Sequence, residues 1–309
     1  MRDMRQQFGF LLCVLRGWLL APAILAGTIT PVAAEQKGRH FAVNLGGQYA
    51  DVVAVGFDLA DIASAAKLDD LPPGLRGVLW LGNGYNKSCE WRLDDAQVAV
   101  EVEAARDHAN FSGIYYISDE PHPKACPDAP ARLAERTTLI HSLDPAGLTF
   151  IIVQNGSNGS NGSDEFRLLS GSADLIGVDP YPCNHRNAET GCDFDQLRDR
   201  IHAALAAGIG VERIVPVFQA FGQSCTDIQD PWYRLPTVEE MSLMLGIWDE
   251  LVPPDRRAFD MTYSWSPQKG TSCPTLALAD GGAWPNLRQV FSDYFARMGA
   301  SGVVENRHD

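Results

Sequence analysis

The feature that most constrains the fold is a regular alternation of short apolar runs with stretches of helical period. The runs have the β-branched and aromatic content that is typical of strands. Eight runs could be strands: Phe41–Leu45, Val52–Phe57, Gly77–Leu81, Gly113–Ile117, Thr149–Val153, Asp174–Val178, Ile214–Phe218 and Asp260–Trp265. Strands that alternate with helices favour a parallel sheet, and eight such units predict a (β/α)8 TIM barrel.

Several of the helical stretches carry their own end signals. Asp193 can cap one helix, and Thr237 with Glu240 forms a capping box ahead of another. The first βα unit is the exception, because only six residues separate Leu45 from Val52 and a crossover between parallel strands needs more. That unit is therefore degenerate, or one of its two runs is not a strand.

Residues 1–34 have the pattern of a signal peptide. Arg2 and Arg5 give a basic start, an apolar stretch follows, and small residues precede Glu35. Arg16 and Pro22 interrupt the apolar stretch, which makes it a poor membrane span. We expect a secreted or periplasmic protein whose residues 35–309 form one barrel domain without a membrane span.

The chain is acidic, with a net charge of −14, and the predicted leader holds three arginines and one aspartate. The remaining chain would carry −16, which disfavours binding to nucleic acid or anionic lipid. We expect a monomer without a nucleic-acid partner.

Six cysteines follow the leader, and an even number in an exported chain indicates disulfides. Each of them comes after the end of a predicted strand, on loops that share one face of a barrel. Loops that neighbour each other predict three pairs: Cys89–Cys126, Cys183–Cys192 and Cys225–Cys273. No spacing typical of a zinc site is present, so we expect no metal.

The residues that follow the predicted strands are carboxylates, amides and aromatics. Those expected to bind substrate are Asn44, Asp58, Asn83, Tyr181, Gln219 and Trp265. Such side chains form hydrogen bonds with hydroxyl groups and stack on sugar rings. A phosphate site would instead require glycine-rich loops with basic residues, so no phosphate-containing cofactor is expected.

The fourth predicted strand stops at Asp119-Glu120-Pro121, where the proline prevents further pairing. Two acids at a strand end lie where α/β barrels keep their chemistry. The alternative is a solvated acidic turn. The position of the pair within the series of strand ends favours a catalytic role.

These segments together resemble the large clan of (β/α)8 glycoside hydrolases that includes the family-five cellulases. The resemblance rests on Asn44-Leu45-Gly46-Gly47, Ser118-Asp119-Glu120-Pro121, Gly177-Val178-Asp179-Pro180-Tyr181-Pro182 and Tyr263-Ser264-Trp265. It implies that Glu120 is the general acid/base and that Trp265 stacks under the sugar. The clan has Asn where this chain has Asp119, and a nucleophilic Glu where it has Gln219.

Because an amide cannot attack, the second catalytic group stays open. Asp179 or Asp119 could assist Glu120, with a carboxyl separation of about 6.5–9.5 Å for inversion or about 5–5.5 Å for retention. An adjacent Asp-Glu also resembles the pair of N-acetylhexosaminidases, in which the acetamido group of the substrate attacks. Two rival hypotheses are a non-catalytic carbohydrate-binding barrel and a metal-assisted deacetylase that uses Asp119 and His122.

Overall fold

Eight parallel strands follow one another around a closed barrel in the part of the chain that the structure describes. That structure is a computed structural model, which describes residues 40–86, 88–154, 163–184 and 191–301. The strands are β1 (His40–Ala42), β2 (Leu59–Ile62), β3 (Arg76–Trp80), β4 (Phe111–Asp119), β5 (Leu148–Val153), β6 (Leu175–Val178), β7 (Ile214–Gln219) and β8 (Asp260–Tyr263). The TIM-barrel prediction is confirmed, while the predicted signal peptide lies outside the described residues.

Helices connect most of the strands and form the outer layer. They are α1 (Tyr49–Val55), α2 (Asp95–Ala105), α3 (Ala129–Leu143), α4 (Ser163–Leu169), α5 (Phe194–Ala206), α6 (Val238–Leu251) and α7 (Leu287–Ser301). The predicted capping box is present at α6, where Thr237 accepts from the N–H of Glu240 and the Glu240 side chain accepts from the N–H of Thr237. Within the described residues, no helix is both long and apolar enough to cross a membrane.

The prediction of a strand over Val52–Phe57 is wrong. Residues 52–55 belong to α1, whose Val52 and Val55 are buried on one side, and Gly56 ends the helix with a left-handed φ of 111°. The true second strand follows at Leu59–Ile62. The first βα unit is therefore short but complete, and a 3₁₀ helix at Ala65–Asp70 joins β2 to β3.

Apolar side chains fill two layers. One cluster lies inside the barrel and includes Phe41, Tyr116, Phe150 and Met261. The larger cluster packs the outer faces of the strands against the helices. This division follows from the alternation of side chains along each strand.

A buried polar network lies at the end of the barrel where the strands begin. Nδ1 of His40 lies 3.0 Å from both carboxylate oxygens of Asp260, and Arg257 donates to Asp260 at 3.1 Å. Arg257 also donates to the hydroxyl of Tyr294 at 2.6 Å, and that hydroxyl donates to Asp249 at 2.5 Å. The network joins β1 and β8 to α6 and α7.

The three predicted disulfides are confirmed. The bonds Cys89–Cys126, Cys183–Cys192 and Cys225–Cys273 all form. Cys89–Cys126 and Cys225–Cys273 each join two neighbouring loops, whereas Cys183–Cys192 closes the loop between β6 and α5. All three lie at the carboxyl ends of the strands, the face where barrel enzymes hold their active sites.

Candidate active site

β4 contains an extra residue that changes which side chains face the inside of the barrel. From Tyr116 to Ser118 the strand advances two residues while β5 advances one. Because side chains alternate with a period of two, such a bulge exchanges the two faces for the residues that follow. Asp119 pairs with Ile152, whose side chain lies in the interior cluster, so Asp119 faces inward as Tyr116 does.

The backbone around the two acids is fixed by local geometry. Glu120 leaves the strand with a left-handed φ of 50°, and Asn44 and Tyr181, which follow other strands, have φ values of 61° and 34°. This backbone costs a non-glycine residue about 1–3 kcal/mol and is frequent at functional sites. The N–H of Asp119 donates to Oδ1 of Asn83 at 2.9 Å, and the N–H of Glu120 donates to a carbonyl of β5 at 3.0 Å.

Asp179, the first residue after β6, faces Glu120. It is 4% exposed, and its own backbone N–H acts on its carboxylate. The carboxyl group of Glu120 also lies within hydrogen-bonding reach, and a bond between two carboxyls requires that one holds a proton. Burial, and then the charge of Glu120, raise the pKa of Asp179 well above its usual value. Burial and the neighbouring charge thus both favour the protonated form of Asp179.

Asp119 completes a cluster of three carboxyl groups. The hydroxyl of Tyr116 donates to Oδ1 of Asp119 at 2.7 Å, and Trp80 packs on Tyr116 with ring centroids 4.4 Å apart. Burial raises the pKa of Asp119, and the bond from Tyr116 opposes this effect. Burial lowers the pKa of Arg200 and the charge of Asp179 opposes this effect, so one guanidinium lies within electrostatic range of the cluster.

Four aromatic side chains, which we call the aromatic cluster, lie beside these carboxyl groups: Tyr181, Phe221, Tyr233 and Tyr263. The ring of Tyr181 lies 5.1 Å from Phe221, 5.7 Å from Tyr233 and 6.1 Å from Tyr263. Burial, and then the charge of Asp119, raise the pKa of Tyr263 to about 12. Burial, and then the charge of the neighbouring carboxyl groups, raise the pKa of Tyr233.

Gln219 lies at the end of β7 but does not reach the site. It is 0% exposed; its Oε1 accepts from the N–H of Cys183 at 2.9 Å, and its Nε2 donates to the carbonyls of Cys183 at 3.0 Å and Arg234 at 3.1 Å. Both amide hydrogens are thus used within the protein, and the predicted role in substrate binding is wrong. Gln219 instead holds together the loop after β6, which carries Asp179 and Tyr181, and the loop after β7.

Trp265 is also absent from the site. It is 0% exposed, and its Nε1 donates to Gln48 at 3.0 Å while its ring packs edge-on against Phe57 and under Arg288. A fully covered indole cannot stack on a sugar, so that prediction is wrong. Side chains alternate in direction only within a strand, and β8 ends at Tyr263. The side chain at position 265 is therefore not required to point into the barrel.

The remaining predicted ligands divide between the two ends of the barrel. Asn44 and Asn83 follow β1 and β3 at the same end as the three carboxyl groups. Asp58 precedes β2, at the opposite end, where its Oδ1 accepts from the N–H of His40 at 2.6 Å, so its predicted place in the site is wrong. The sequence reasoning missed Asp61, whose carboxylate accepts a hydrogen bond from the backbone of Asn44. An acidic residue inside a short apolar strand was the sequence signal that could have revealed it.

Trp80, Phe221 and Tyr233 were also not foreseen. Trp80 is the last residue of β3, and the alternation of side chains along that strand would have predicted that it points into the barrel. Phe221 and Tyr233 lie on the loop after β7, where no periodic signal exists.

The described residues contain one group that could hold a metal ion. Among the described residues, the one group of three potential ligands within 4.8 Å of each other is Cys183, Cys192 and Glu240, and its two sulfurs form a disulfide. Neither Asp119 nor His122 belongs to such a group.

No family model and no curated protein matches this chain. The C-terminal domain of a putative chitinase from Desulfitobacterium hafniense DCB-2 is 11% identical with a TM-score of 0.54, over 84% of this chain and 99% of that one. The GH18 chitinase ChiB from the chitin utilization locus of Flavobacterium johnsoniae is 10% identical with a TM-score of 0.52, over 85% and 95%. A beta-glucuronidase from Lactobacillus rhamnosus is 10% identical with a TM-score of 0.55, over 84% of this chain and 50% of that one. At these identities the likeness shows the fold alone, a barrel of the type found in glycoside hydrolases.

Proposed function

We propose that this chain is an exported glycoside hydrolase in which Glu120 is the general acid. The buried contact between the carboxyl groups of Glu120 and Asp179 is the observation that carries the proposal. Glycosidic cleavage requires an acid that still holds its proton at working pH. Residues 1–34 would be removed on export, and the disulfides suit an oxidising compartment.

The pair works as one proton donor. Glu120 is partly exposed, whereas Asp179 is buried behind it. Glu120 gives its proton to the leaving oxygen as the glycosidic bond breaks, and the water that later adds to the sugar returns a proton to Glu120.

The contact also limits where the second group can come from. Glu120 and Asp179 are within hydrogen-bonding distance, closer than either separation known for a protein nucleophile or base. Asp179 therefore does not act from the opposite face of the sugar. We assign this role to the substrate: the oxygen of a 2-acetamido group bonds to the anomeric carbon while the leaving oxygen takes the proton, and water then opens the new ring. Asp119 would orient the acetamido group.

An N-acetylated polysaccharide is therefore the proposed substrate. Two of the proteins with a similar fold are named as chitinases, one of them putative. A glucuronide would add a fourth carboxylate beside Asp119, Glu120 and Asp179, and like charges disfavour that arrangement.

The first experiment measures reducing ends released from oligomers of N-acetylglucosamine, glucose and xylose. Glu120→Gln should lower kcat at least about 100-fold, because it removes the acid. Asp179→Asn should lower it as well. Glu103→Gln, on the exposed side of α2, is the matched control and should change nothing. Equal activity of wild type and Glu120→Gln would reject the assignment.

A second experiment separates the mechanisms. Matched substrates with a 2-acetamido or a 2-hydroxyl group should differ, with hydrolysis of the first alone. Comparable rates would reject the acetamido mechanism but leave the acid in place. Binding without any release would indicate the carbohydrate-binding barrel, and activity lost to a chelator would indicate the metal-assisted deacetylase.

A further inference from the structure

The loop after β7 carries two neighbouring aromatic residues on the face of the candidate site. Tyr233 points inward, with its ring 5.7 Å from Tyr181 and 5.0 Å from Phe221. Trp232, its neighbour, is 40% exposed. The loop therefore presents one ring to the site and a larger ring to the solvent beside it.

The backbone of this pair is held by a single side-chain amide. Oε1 of Gln223 accepts from the N–H of Trp232 at 2.8 Å and from that of Tyr233 at 3.0 Å, and its Nε2 donates to the carbonyl of Thr271 at 3.0 Å. The N–H of Gln223 also donates to the carbonyl of Tyr233 at 2.9 Å. The backbone at Trp232 is thus held in place before any ligand arrives, which lowers the entropy cost of ordering the loop on binding.

Both neighbouring loops hold the same segment. The Cys225–Cys273 disulfide joins it to the loop after β8. The N–H of Arg234 donates to the carbonyl of Cys183 at 3.1 Å, and Gln219 donates to the carbonyl of Arg234. The exposed indole of Trp232 therefore lies on a loop that the disulfide and these hydrogen bonds hold in one conformation.

Indole faces stack on the C–H faces of pyranose rings, and the charge of the loop selects among sugars. The loop contains Asp227 and Asp230, while Arg234, its cation, is paired with Glu240 at 2.6 Å. An anionic polysaccharide would be repelled here.

We propose that Trp232 binds one sugar unit of a neutral or N-acetylated polysaccharide, outside the position where the chain is cut. The inference deepens the proposed function, on which it rests for the place of cleavage. Because Tyr233, and not Trp232, is the member of the pair that packs on Tyr181, we expect a hexasaccharide but not a disaccharide at the cleavage position to reach the indole.

The test measures binding in a Glu120→Gln background, which leaves the ligand intact. The probes are the hexamers of N-acetylglucosamine, glucose and xylose, with the corresponding dimers. At least one hexamer should bind, and Trp232→Ala should weaken it roughly 10-fold, or about 1.4 kcal/mol. Trp232→Tyr should retain most of the affinity, and dimer affinity should not change. The bound hexamer should also protect the protein from acrylamide quenching of tryptophan fluorescence, and Trp232→Phe should remove that protection.

Val100→Ala, at a side chain 66% exposed on α2, is the control and should have no effect. The inference is overturned if no hexamer binds, if Trp232→Ala binds as tightly as its parent, or if light scattering shows that the variant only alters self-association. Binding that depends on Trp232, without hydrolysis by the wild type, would reject the proposed function but support sugar binding by Trp232. Hydrolysis of hexamers with no dependence on Trp232 would do the reverse.

Discussion

Replacing Gln219 by Glu would restore the residue type that the resemblance expects at the end of β7, yet we predict damage rather than a gain. The Nε2 group of Gln219 donates to the carbonyls of Cys183 and Arg234, and its Oε1 accepts from the N–H of Cys183. A carboxylate at this position can still accept the hydrogen bond from the N–H of Cys183. Its second oxygen, however, would face the two carbonyl oxygens that Nε2 now binds, and oxygens that only accept repel each other. The new side chain must therefore be protonated to fit.

The cost has two parts. The protonated carboxyl of the Gln219→Glu variant can donate to one carbonyl, so the other loses its donor at about 1–3 kcal/mol. Burial raises the pKa of the new carboxyl, so the folded state binds more protons than the unfolded state. Stability then falls as pH rises above about 4.3, by about 1.36 kcal/mol per pH unit until the folded pKa is reached. The total loss is about 3 kcal/mol at pH 5 and about 6 kcal/mol at pH 7.

Thermal unfolding followed by circular dichroism at the two pH values tests this. At roughly 2 °C per kcal/mol for a domain of this size, the loss in Tm is about 6 °C at pH 5 and about 12 °C at pH 7. Gln223→Glu is the matched control: Gln223 is partly exposed, and its oxygen accepts two N–H groups, which favour a carboxylate. A Gln219→Glu protein with wild-type Tm, or with the same loss at both pH values, would refute the reasoning.

Three further changes should have separable effects. Tyr116→Phe removes the donor to Asp119 and raises the pKa of that carboxyl, so the acidic limb of the pH–rate profile should move to higher pH. Asp260→Asn leaves a buried arginine and histidine without their carboxylate and should cost about 3–5 kcal/mol in urea unfolding, with kcat unchanged. Replacing both Cys225 and Cys273 by Ser opens a link across 48 residues and should cost about 4 kcal/mol of stability.

Each of these has an outcome that would contradict it. An acidic limb that stays in place or moves to lower pH would remove Tyr116 from the control of Asp119. A large loss of kcat in Asp260→Asn, in protein that is still folded, would show that the two ends of the barrel are coupled. Unchanged urea midpoints in the double serine variant would show that hydrogen bonds alone hold the loop.

The sequence allowed the barrel and the disulfides to be predicted because both depend on spacing. Regular alternation of strand and helix sets the topology, and the topology sets which loops are neighbours, so Cys225 and Cys273 could be paired without coordinates. The run from Val52 to Phe57 misled because β-branched residues that suit a strand can also cover one face of a short helix. The glycine at 56, a helix end signal, was the better guide.

The site was less predictable because side-chain direction depends on where regular structure stops. Trp265 has the right residue type two positions after Tyr263, but β8 has already ended, and the indole turns into the outer layer. Gln219 is a polar residue at a strand end, and only the loop carbonyls around it reveal that its amide is fully engaged. Neither the end of β8 before Trp265 nor the hydrogen bonds of the Gln219 amide can be predicted from residue type or periodicity.

The extra residue in β4 has a consequence for how this chain should be compared with others. Asp119 faces inward because of the number of residues before it, so removal of one residue between Tyr116 and Ser118 would turn it outward while every residue of the acidic pair survived. Insertions and deletions, not substitutions, are then the evolutionary events that create or abolish this arrangement. An ungapped alignment with a chain whose fourth strand is regular would match Glu120 to the wrong partner by one position.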